Sequence, residues 1–463
     1  MRILVLTVGG SSQPLVSSIL QNKPDRLAFL CSDDIPGTKG KGSYIEVEGP
    51  GLVCERGTMP NILTQARATD ISREIVKIRE LDDPNACYVE SLELLSKLRR
   101  KYPEAQIIAD YTGATKSMSS GLVLAAMDTQ GVILGVQAGL RTDRQKVVHG
   151  TQFTRLTYSH VPIVNRQSWG FVDLMRRFDY PAAILILEDI LATPDLLPAI
   201  AAPLQIQLAL ARGLNAWDRF DHAAAWDLLQ PIRAQHVEPV KFLEAVVWSR
   251  RRLEPQFEEL MSNKMSAKPK GHGYELVQDL LLNAERRAAQ GRYDDAAARM
   301  YRAVEMLAQA RLLYRYEVRT ASLEMKRLPK ELRPTYRRKG MKADKSIQLG
   351  LRDAYDLLAA LTEYEEEPLG RVYSGRKASL LVFLGIRNQG LHSHGFTPIG
   401  EADYLRARDI AGALCRDGIA AILKAKGVPR PYAVPIQFPQ TIAQVAFKPT
   451  HSDLTPDRPP ITL

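Results

Sequence analysis

Residues 1–15 read MRILVLTVGGSSQPL, and residues 106–118 read QIIADYTGATKSM. Both stretches have the same order, in which a short apolar run is followed by a loop of small polar residues and then by a helix start. An apolar run bounded in this way is typical of a buried β-strand, and the first run is too short and too soon interrupted for a signal peptide. The two stretches therefore predict strand–loop–helix units, and these units decide the fold of this part of the chain.

Strands alternate with helices through the first 168 residues. Strands are predicted at Ile3–Val8, Leu27–Cys31, Gln106–Ala109 and Val132–Gln137, and helices at Asn61–Glu80 and Glu90–Lys101. Several of these strands are apolar along nearly their whole length, which is typical of a parallel sheet that helices cover on both faces. The predicted fold of residues 1–168 is a Rossmann-like α/β domain.

The sequence changes character at Trp169, beyond which apolar residues recur at every third or fourth position. This spacing predicts helices throughout. The segments RFDHAAAWDLL and GRYDDAAARMYRAVEMLAQARL resemble each other but lie 73 residues apart, which is no multiple of a repeat of about 34 residues, so they predict two helical hairpins rather than a solenoid.

A polar loop at residues 262–273 predicts a boundary between a helical linker domain, 169–270, and a second helical domain, 271–427. The tail, 428–463, contains eight prolines and is predicted to be an extended strap.

Composition narrows the class of protein. The chain of 463 residues has a net charge of +10, because 62 Lys and Arg outnumber 52 Asp and Glu, and this excess favours a polyanionic partner. Its four cysteines form no Cys-x-x-Cys pair, which argues against a structural zinc site and a disulfide framework and fits a reducing cytoplasm. No stretch reaches the roughly 20 uninterrupted apolar residues of a membrane span. We therefore expect a cytoplasmic protein with no membrane partner.

The loop after the first strand is the first candidate binding site. Gly10 permits close approach of a phosphate, and Ser11, Ser12 and Gln13 stand at the start of the next helix, where backbone N–H groups favour anions. The loop lacks the Gly-x-Gly-x-x-Gly fingerprint of dinucleotide-binding proteins. The alternative is a tight turn capped by a serine.

The loop DYTGATKSM, residues 110–118, is the second candidate. It is no Walker A loop, because Thr115 stands where that motif has the glycine before its lysine. Thr112, Gly113, Thr115 and Lys116 can still hold an anion by hydroxyl, backbone and ammonium groups, although a capped turn with a surface lysine is the alternative. Ligands of open α/β sheets bind where such loops meet, so the two loops together predict a nucleotide site.

The stretch GIRNQGLHSHGF, residues 385–396, holds the third candidate site. Arg387 could stabilise a charged phosphate and His392 could transfer protons, but on an unbroken helix their offset of five places them about 140° apart. Either the glycines break the helix or a second copy of the chain completes the site. A solvated helix end is one alternative, and a metal bound by His392 and His394 is another, although no other ligands with suitable spacing stand nearby.

Two of these segments resemble a known family. DYTGATKSM resembles the ligand motif of CARF domains, the Rossmann-like sensors of CRISPR systems, whose usual form has a second glycine where this chain has Ala114. RNQGLH resembles the HEPN ribonuclease motif, with Arg387, Asn388 and His392 at its positions. The order of sensor, helical linker and HEPN motif is that of CRISPR type III accessory CARF–HEPN ribonucleases.

This resemblance implies a homodimer in which two CARF domains bind a cyclic oligoadenylate activator, here expected to be cyclic tetra-adenylate rather than hexa-adenylate. It also implies that paired HEPN domains cleave single-stranded RNA at a composite site, without a metal or cofactor, leaving a 2′,3′-cyclic phosphate and a 5′-hydroxyl. His392 would transfer protons, Arg387 would orient and stabilise the phosphate, and Asn388 would support them.

Other functions remain open at this stage. The protein could degrade its own activator, it could be a non-catalytic interaction protein steered by nucleotide binding, or it could be a nicotinamide-dependent enzyme. The basic segment Lys326–Lys345 is either a contact for RNA or a solvated loop.

Overall fold

The computed structural model describes residues 1–34, 36–37, 39–140, 147, 151–158, 160–193, 196–266, 268–337, 347–364, 366–391, 395–427 and 433–439. These residues form two compact units. The first contains residues up to 167 together with 192–200, and the second contains 168–191 and the described residues from 201 onward. Each unit has its own secondary structure and is described separately.

A six-stranded sheet forms the centre of the first unit. Its strands are β1 (Arg2–Thr7), β2 (Arg26–Ser32), β5 (Ser72–Ile78), β6 (Gln106–Asp110), β7 (Val132–Ala138) and β8 (Phe153–Tyr158), and a small hairpin is formed by β3 (Leu52–Cys54) and β4 (Met59–Pro60). The strand order is β5-β2-β1-β6-β7-β8, and all neighbours are parallel except β7 and β8. The predicted Rossmann-like α/β fold is thus confirmed.

Helices cover both faces of this sheet. They are α1 (Gln13–Asn22), α2 (Tyr44–Glu48), α3 (Ile62–Gln65), α4 (Pro84–Lys101) and α5 (Lys116–Asp128). Side chains of β1 alternate between the two faces: Ile3 and Val5 pack in the core with α4 and α5, whereas Leu4 and Leu6 pack in the core with α1 and α3. Burial on both faces explains why these strands are apolar along their whole length.

One predicted helix is wrong. The segment 61–80 contains only the short helix α3, and its second half is the strand β5, which pairs in parallel with β2 from Arg26↔Ser72 to Ser32↔Ile78. Three of the seven residues of β5 are isoleucine or valine, which favour strands. Only Ile78 is buried, and the other six residues are exposed or partly buried because the strand lies at the edge of the sheet. An edge strand lacks the apolar run by which the other strands were predicted.

The second unit is helical, as predicted for the chain beyond Trp169. Its helices, with α6 and α8 extending across the limits of the two units, are α6 (His160–Arg176), α7 (Tyr180–Leu191), α8 (Pro198–Asp218), α9 (His222–Leu229), α10 (Val237–Leu253), α11 (Pro255–Met261), α12 (Glu275–Ala289), α13 (Tyr293–Tyr316), α14 (Arg333–Arg337), α15 (Leu351–Leu361), α16 (Pro368–Gln389) and α17 (Glu401–Ala425). The two similar segments lie in α9, which packs on α10, and in α13, which packs on α12. The division of this unit near residue 270 into linker and HEPN domains stays a prediction.

The described part of the tail, residues 433–439, has no regular secondary structure and packs against helices of the second unit. Phe438 is 3% exposed, and its ring lies 4.8 Å from that of Trp217 and under the guanidinium of Arg286, whose Cζ is 3.7 Å from the ring centroid. Arg286 also donates to the side-chain oxygen of Gln437 at 2.8 Å. These residues therefore form an anchored strap, while the rest of the tail lies outside the described residues.

Candidate functional site

The two predicted binding loops follow neighbouring strands, β1 and β6, at their carboxyl ends. The chain continues from β1 to β2 on one side of the sheet and from β6 to β7 on the other, so the loops meet where ligands of such sheets bind. Together they line a cavity of about 610 Å³. Of the predicted ligand residues, those lining the cavity are Gly10, Ser11, Thr112, Gly113 and Thr115, whereas Ser12, Gln13 and Lys116 are not among the lining residues.

Glycines allow the two loops to touch. A Cβ atom on Gly9 would lie 2.5 Å from the backbone nitrogen of Ala114, and one on Gly113 would lie 2.5 Å from the carbonyl oxygen of Thr7. The Thr7 hydroxyl also donates to the Gly113 carbonyl at 2.7 Å. Any larger side chain at either glycine would therefore push the loops apart.

Asp110 fixes the shape of the second loop. Its buried carboxylate accepts from the hydroxyl of Ser18 at 2.5 Å and from the backbone N–H and hydroxyl of Thr112 at 3.0 and 2.5 Å. The Thr112 hydroxyl accepts in turn from the N–H of Gln137 at 2.8 Å. Burial raises the pKa of Asp110. The proton of the Thr112 hydroxyl is thus directed at Asp110 rather than at the cavity.

Thr115 is the N-cap of α5. Its hydroxyl accepts from the N–H of Met118 at 3.2 Å and donates to the carbonyl of Leu81 at 3.1 Å. Lys116 is exposed at the first position of this helix. Ala114 has a φ of +74°, a left-handed conformation that favours glycine, which gives a physical reason for the glycine that CARF motifs usually have here.

The start of α1 is bonded to a carboxylate of the same chain. Oε1 of Glu55 accepts from the backbone N–H of Ser12 at 3.0 Å and from the hydroxyl of Ser11 at 3.3 Å. Ser12 is fully buried, whereas Ser11 is exposed at the cavity. The helix start that was expected to attract an anion therefore already holds one.

The cavity has a third wall that the sequence analysis missed. It comes from the segment 32–46, which contributes Lys41, Ser43 and Glu46. Nζ of Lys41 lies 3.1 Å from the carboxylate of Asp34, and the pKa of Asp34 is lowered to about 2 by the N–H of Gly42 and by Lys41. Burial and the charge of Glu55 raise the pKa of Glu46. The glycine- and lysine-rich run at 37–43, a few residues after the end of β2, is the signal that could have indicated this wall.

The third candidate site lies at the end of α16. This helix ends at Gln389, with Gly390 as its extended C-cap, so the expected 140° offset between Arg387 and His392 does not apply. Cζ of Arg387 lies 4.4 Å from the centroid of the Tyr301 ring, and its Nη1 donates to Oδ1 of Asn388 at 3.2 Å. Burial and Glu305 raise the pKa of Tyr301, an effect that Arg387 opposes.

A single carboxylate holds the chain on both sides of the histidine segment. The two oxygens of Asp294, on α13, accept from the backbone N–H groups of Leu391 and Ile399, each at 3.0 Å. A Cβ atom on Gly395 would lie 1.7 Å from the carbonyl oxygen of Gln389, so only glycine fits there. His392 and His394 themselves lie outside the described residues.

Within the described part of the chain, no group of three or more His, Cys, Asp or Glu side chains is placed to hold a metal ion. No described helix is both long and apolar enough to span a membrane.

The fold and sites define a class of protein in which a Rossmann-like domain with a ligand cavity precedes a helical region that carries an Arg-Asn motif at a helix end. Residues 264–417 match the family model described as the Csm6 HEPN domain. The chain is also similar to the structure of Enterococcus italicus Csm6 bound to cyclic hexa-2′-fluoro-hexa-dAMP, with 12% sequence identity, a TM-score of 0.62, and coverage of 92% of this chain and 95% of that one. No curated protein matches the sequence. The family model thus assigns residues 264–417 to the Csm6 HEPN domain family, and the structural similarity supports the CARF–HEPN architecture that the motifs predicted.

Proposed function

We propose that this protein is an endoribonuclease that cleaves single-stranded RNA and is switched on allosterically by a cyclic oligoadenylate. The observation that carries the proposal is the arrangement at the end of α16. Arg387 lies on the ring of Tyr301, while Asp294 bonds to the chain on both sides of the segment that contains His392. The match of residues 264–417 to the Csm6 HEPN domain supports this assignment, because HEPN domains are generally ribonucleases.

The proposed reaction needs no metal. The 2′-hydroxyl of the RNA attacks the adjacent phosphorus and loses its proton, the bond from phosphorus to the 5′-oxygen breaks, and that oxygen takes up a proton. The products are a 2′,3′-cyclic phosphate and a 5′-hydroxyl. His392 transfers the protons, Arg387 stabilises the charge that develops on the phosphate, and Asn388 orients Arg387 through their hydrogen bond.

We further propose that the active protein is a homodimer whose two HEPN domains share one cleft. Large apolar side chains are exposed around the end of α16: Leu381 is 44%, Val382 36%, Leu391 55% and Phe396 94% exposed. Exposed apolar residues that cluster in this way mark interaction surfaces.

We expect Val382→Glu to give a monomer with no cleavage activity, as measured by light scattering and RNA hydrolysis. Leu185→Glu, which alters an equally apolar side chain that is 66% exposed on α7, should change neither.

The activator would bind the cavity of the sensor domain. Gly10, Ser11, Gly113 and Thr115 would contact it from the cavity wall, and Lys116 would add charge from the exposed start of α5. Ser12, Gln13 and Thr112 complete the proposed set, with Thr112 acting through backbone atoms because its hydroxyl is bonded to Asp110. The similar Csm6 structure holds a ring of six nucleotides, so the expected preference for cyclic tetra-adenylate needs a direct test against hexa-adenylate.

The experiment is a cleavage assay with single-stranded RNA in EDTA, with saturating cyclic oligoadenylate, on the wild type and on His392→Ala. We expect the wild type to produce 2′,3′-cyclic phosphate ends and the variant to produce no cleavage while it still binds activator. Cleavage that survives in the variant would remove His392 from the mechanism. RNA binding without any cleavage would instead favour an interaction protein.

A further inference from the structure

A second cavity lies in the helical unit, apart from the proposed ribonuclease residues. Its volume is about 480 Å³, which is within the range of small-molecule sites. One wall is a stripe of α13 formed by Arg302, Met306, Gln309 and Leu313, whose spacing of four, three and four residues places them on one helix face. Phe220 also lines the cavity. The cavity thus combines apolar surface with polar groups.

Arginines surround this apolar surface. Arg250 is held by the carboxylate of Glu254 and the carbonyl of Phe220, both at 2.8 Å, so its charge is largely balanced. Arg302 donates to Glu305 at 2.5 Å and to Gln309 at 2.8 Å. Arg319 also lines the cavity and is exposed, and it has no ion-pair partner within the described ranges. Arg319 therefore supplies positive charge that the described chain does not neutralise.

The cavity lies close to the proposed cleavage site. Arg302 follows Tyr301, the residue on whose ring Arg387 rests. Neighbouring residues of a helix project about 100° apart, and a helix with its side chains is about 10 Å wide. Tyr301 and Arg302 thus project from adjacent sides of α13, and the stripe extends from Arg302 to Leu313, about 17 Å along the helix, a distance that a few nucleotides of a single strand can span.

The chain beyond this cavity is also basic. The cavity wall formed by 318–321 leads directly into the segment from Lys326, whose described part ends at Arg337. Some of these charges are balanced, since Lys326 pairs with Glu324 and Arg327 with Glu317. The remaining excess of positive charge extends the positive potential from the cavity along this surface.

We propose that this cavity is a subsite for one nucleotide of the single-stranded RNA substrate, a few nucleotides away from the pair that is cleaved. The base packs on Met306, Leu313 and Phe220, and Arg319 contacts a phosphate. Single-strand binding sites combine such apolar or aromatic contact with basic residues along the backbone. The inference rests on the proposed ribonuclease function and extends it to substrate recognition.

The test uses a 2′-O-methyl oligonucleotide, which lacks the attacking hydroxyl and stays intact, in the presence of activator. Fluorescence anisotropy measures its affinity at several salt concentrations. We expect Arg319→Ala to weaken binding about tenfold and to reduce the slope of log affinity against log salt by about 0.7, the value for one phosphate contact in a single strand. Arg319→Lys should restore most of that slope. The matched control is Arg352→Ala, which removes an arginine with a 60% exposed side chain on α15.

A second variant tests the base pocket without changing charge. Ala321 is exposed at the cavity rim, and Ala321→Trp should fill the mouth, weaken binding and leave the salt slope unchanged. An oligonucleotide series with one abasic position moved along the strand should show one position, a few nucleotides from the scissile phosphate, where the wild type loses affinity. The Ala321→Trp protein should lack that loss. Thermal melting establishes that each variant is folded.

The outcomes separate this proposal from the ribonuclease function. Wild-type protein that cleaves RNA, together with Arg319 and Ala321 variants that behave as Arg352→Ala does, would overturn the subsite and leave the ribonuclease intact. Wild-type protein that neither binds nor cleaves RNA would overturn both. Binding losses that are equal at every abasic position would show a phosphate contact without a base pocket and would also overturn the proposal.

Discussion

The sensor loops and the ribonuclease motif differ in what their polar side chains contact. In the sensor, Thr112 and Thr115 form hydrogen bonds within the chain, and glycines bring the backbones of the two loops together. In the helical unit, Arg387 is half-buried at a helix end, with contacts to Tyr301 and Asn388. Motif residues of the sensor therefore shape a cavity, whereas those at the end of α16 are proposed to carry out the chemistry. Substitutions in the first region should change stability, and substitutions in the second should change rate.

The largest effect is expected at Arg387. Arg387→Ala removes the cation that stabilises the charged phosphate, and we expect the cleavage rate to fall about 1000-fold under saturating activator. The midpoint of urea unfolding and the affinity for activator should stay within error of the wild type. Arg387→Lys keeps the charge but loses the planar donor fork, so it should recover only part of the rate. A large loss of stability in Arg387→Ala would contradict the expectation that substitutions in the sensor loops change stability and substitutions in the ribonuclease motif change rate.

The next expected effect is on the pH dependence of stability, and it involves a pair of residues in the helical unit other than Arg387. Burial lowers the pKa of His272 to about 4 and raises the pKa of Glu275 to about 7. Nδ1 of His272 accepts the N–H of Tyr274 at 3.1 Å, and Glu275 accepts the N–H groups of His272 and Gly273 at 2.5 and 2.8 Å. The neutral histidine is thus built into this loop.

The two groups give stability opposite pH dependences. Between about pH 4 and 6.5 the unfolded chain holds a proton on His272 that the folded chain lacks, so the contribution of this residue to stability rises with pH. Between about pH 4.5 and 7 the folded chain holds a proton on Glu275 that the unfolded chain lacks, so that contribution falls. Each change is about 3 kcal/mol. The two contributions therefore nearly cancel between about pH 4.5 and 6.5 in the wild type. Relative to the wild type, the free energy of unfolding in urea should fall with rising pH in His272→Gln and rise with pH in Glu275→Gln. Parallel slopes in the two variants would contradict this assignment.

A smaller effect on rate is expected at Asp294, which bonds to the chain on both sides of the histidine segment. Asp294→Ala frees the N–H groups of Leu391 and Ile399, and we expect cleavage to fall about 10- to 100-fold because small displacements of reacting groups are costly. The KM for RNA should change little, and Asp294→Asn should recover part of the rate through its one remaining acceptor. Asp295→Asn, which alters the neighbouring carboxylate paired with Arg299, is the matched control. Equal losses in both variants would indicate a general structural role.

The smallest expected effects are changes in unfolding free energy caused by substitutions in the sensor loops. Gly113→Ala places a methyl group against the carbonyl oxygen of Thr7 and should cost about 1 to 3 kcal/mol of unfolding free energy. Ala114→Gly relieves a left-handed alanine and should stabilise the protein by up to about 1 kcal/mol. Denaturant midpoints measure both changes. Effects of the same sign in these adjacent residues would contradict the described loop geometry.

The sequence predicted features that depend on local pattern. Apolar runs indicated the buried strands, and the loops that follow two of them, which contain Gly10 and Gly113, line one cavity as predicted. The edge strand β5 was mistaken for a helix, because a partly exposed strand has no continuous apolar run. Glu55 and Asp294 were missed because each acts on residues at least 40 positions away in the chain. Such contacts leave no local signature.

The most direct test of the central claim is the cleavage rate of wild-type protein on a fluorogenic single-stranded RNA in EDTA, measured as cyclic tetra- or hexa-adenylate is titrated. We predict a rate near zero without a ring and a saturable rise with one of the two rings. A rate that is the same with and without both rings would contradict the account, because the sensor cavity would then not control the ribonuclease site.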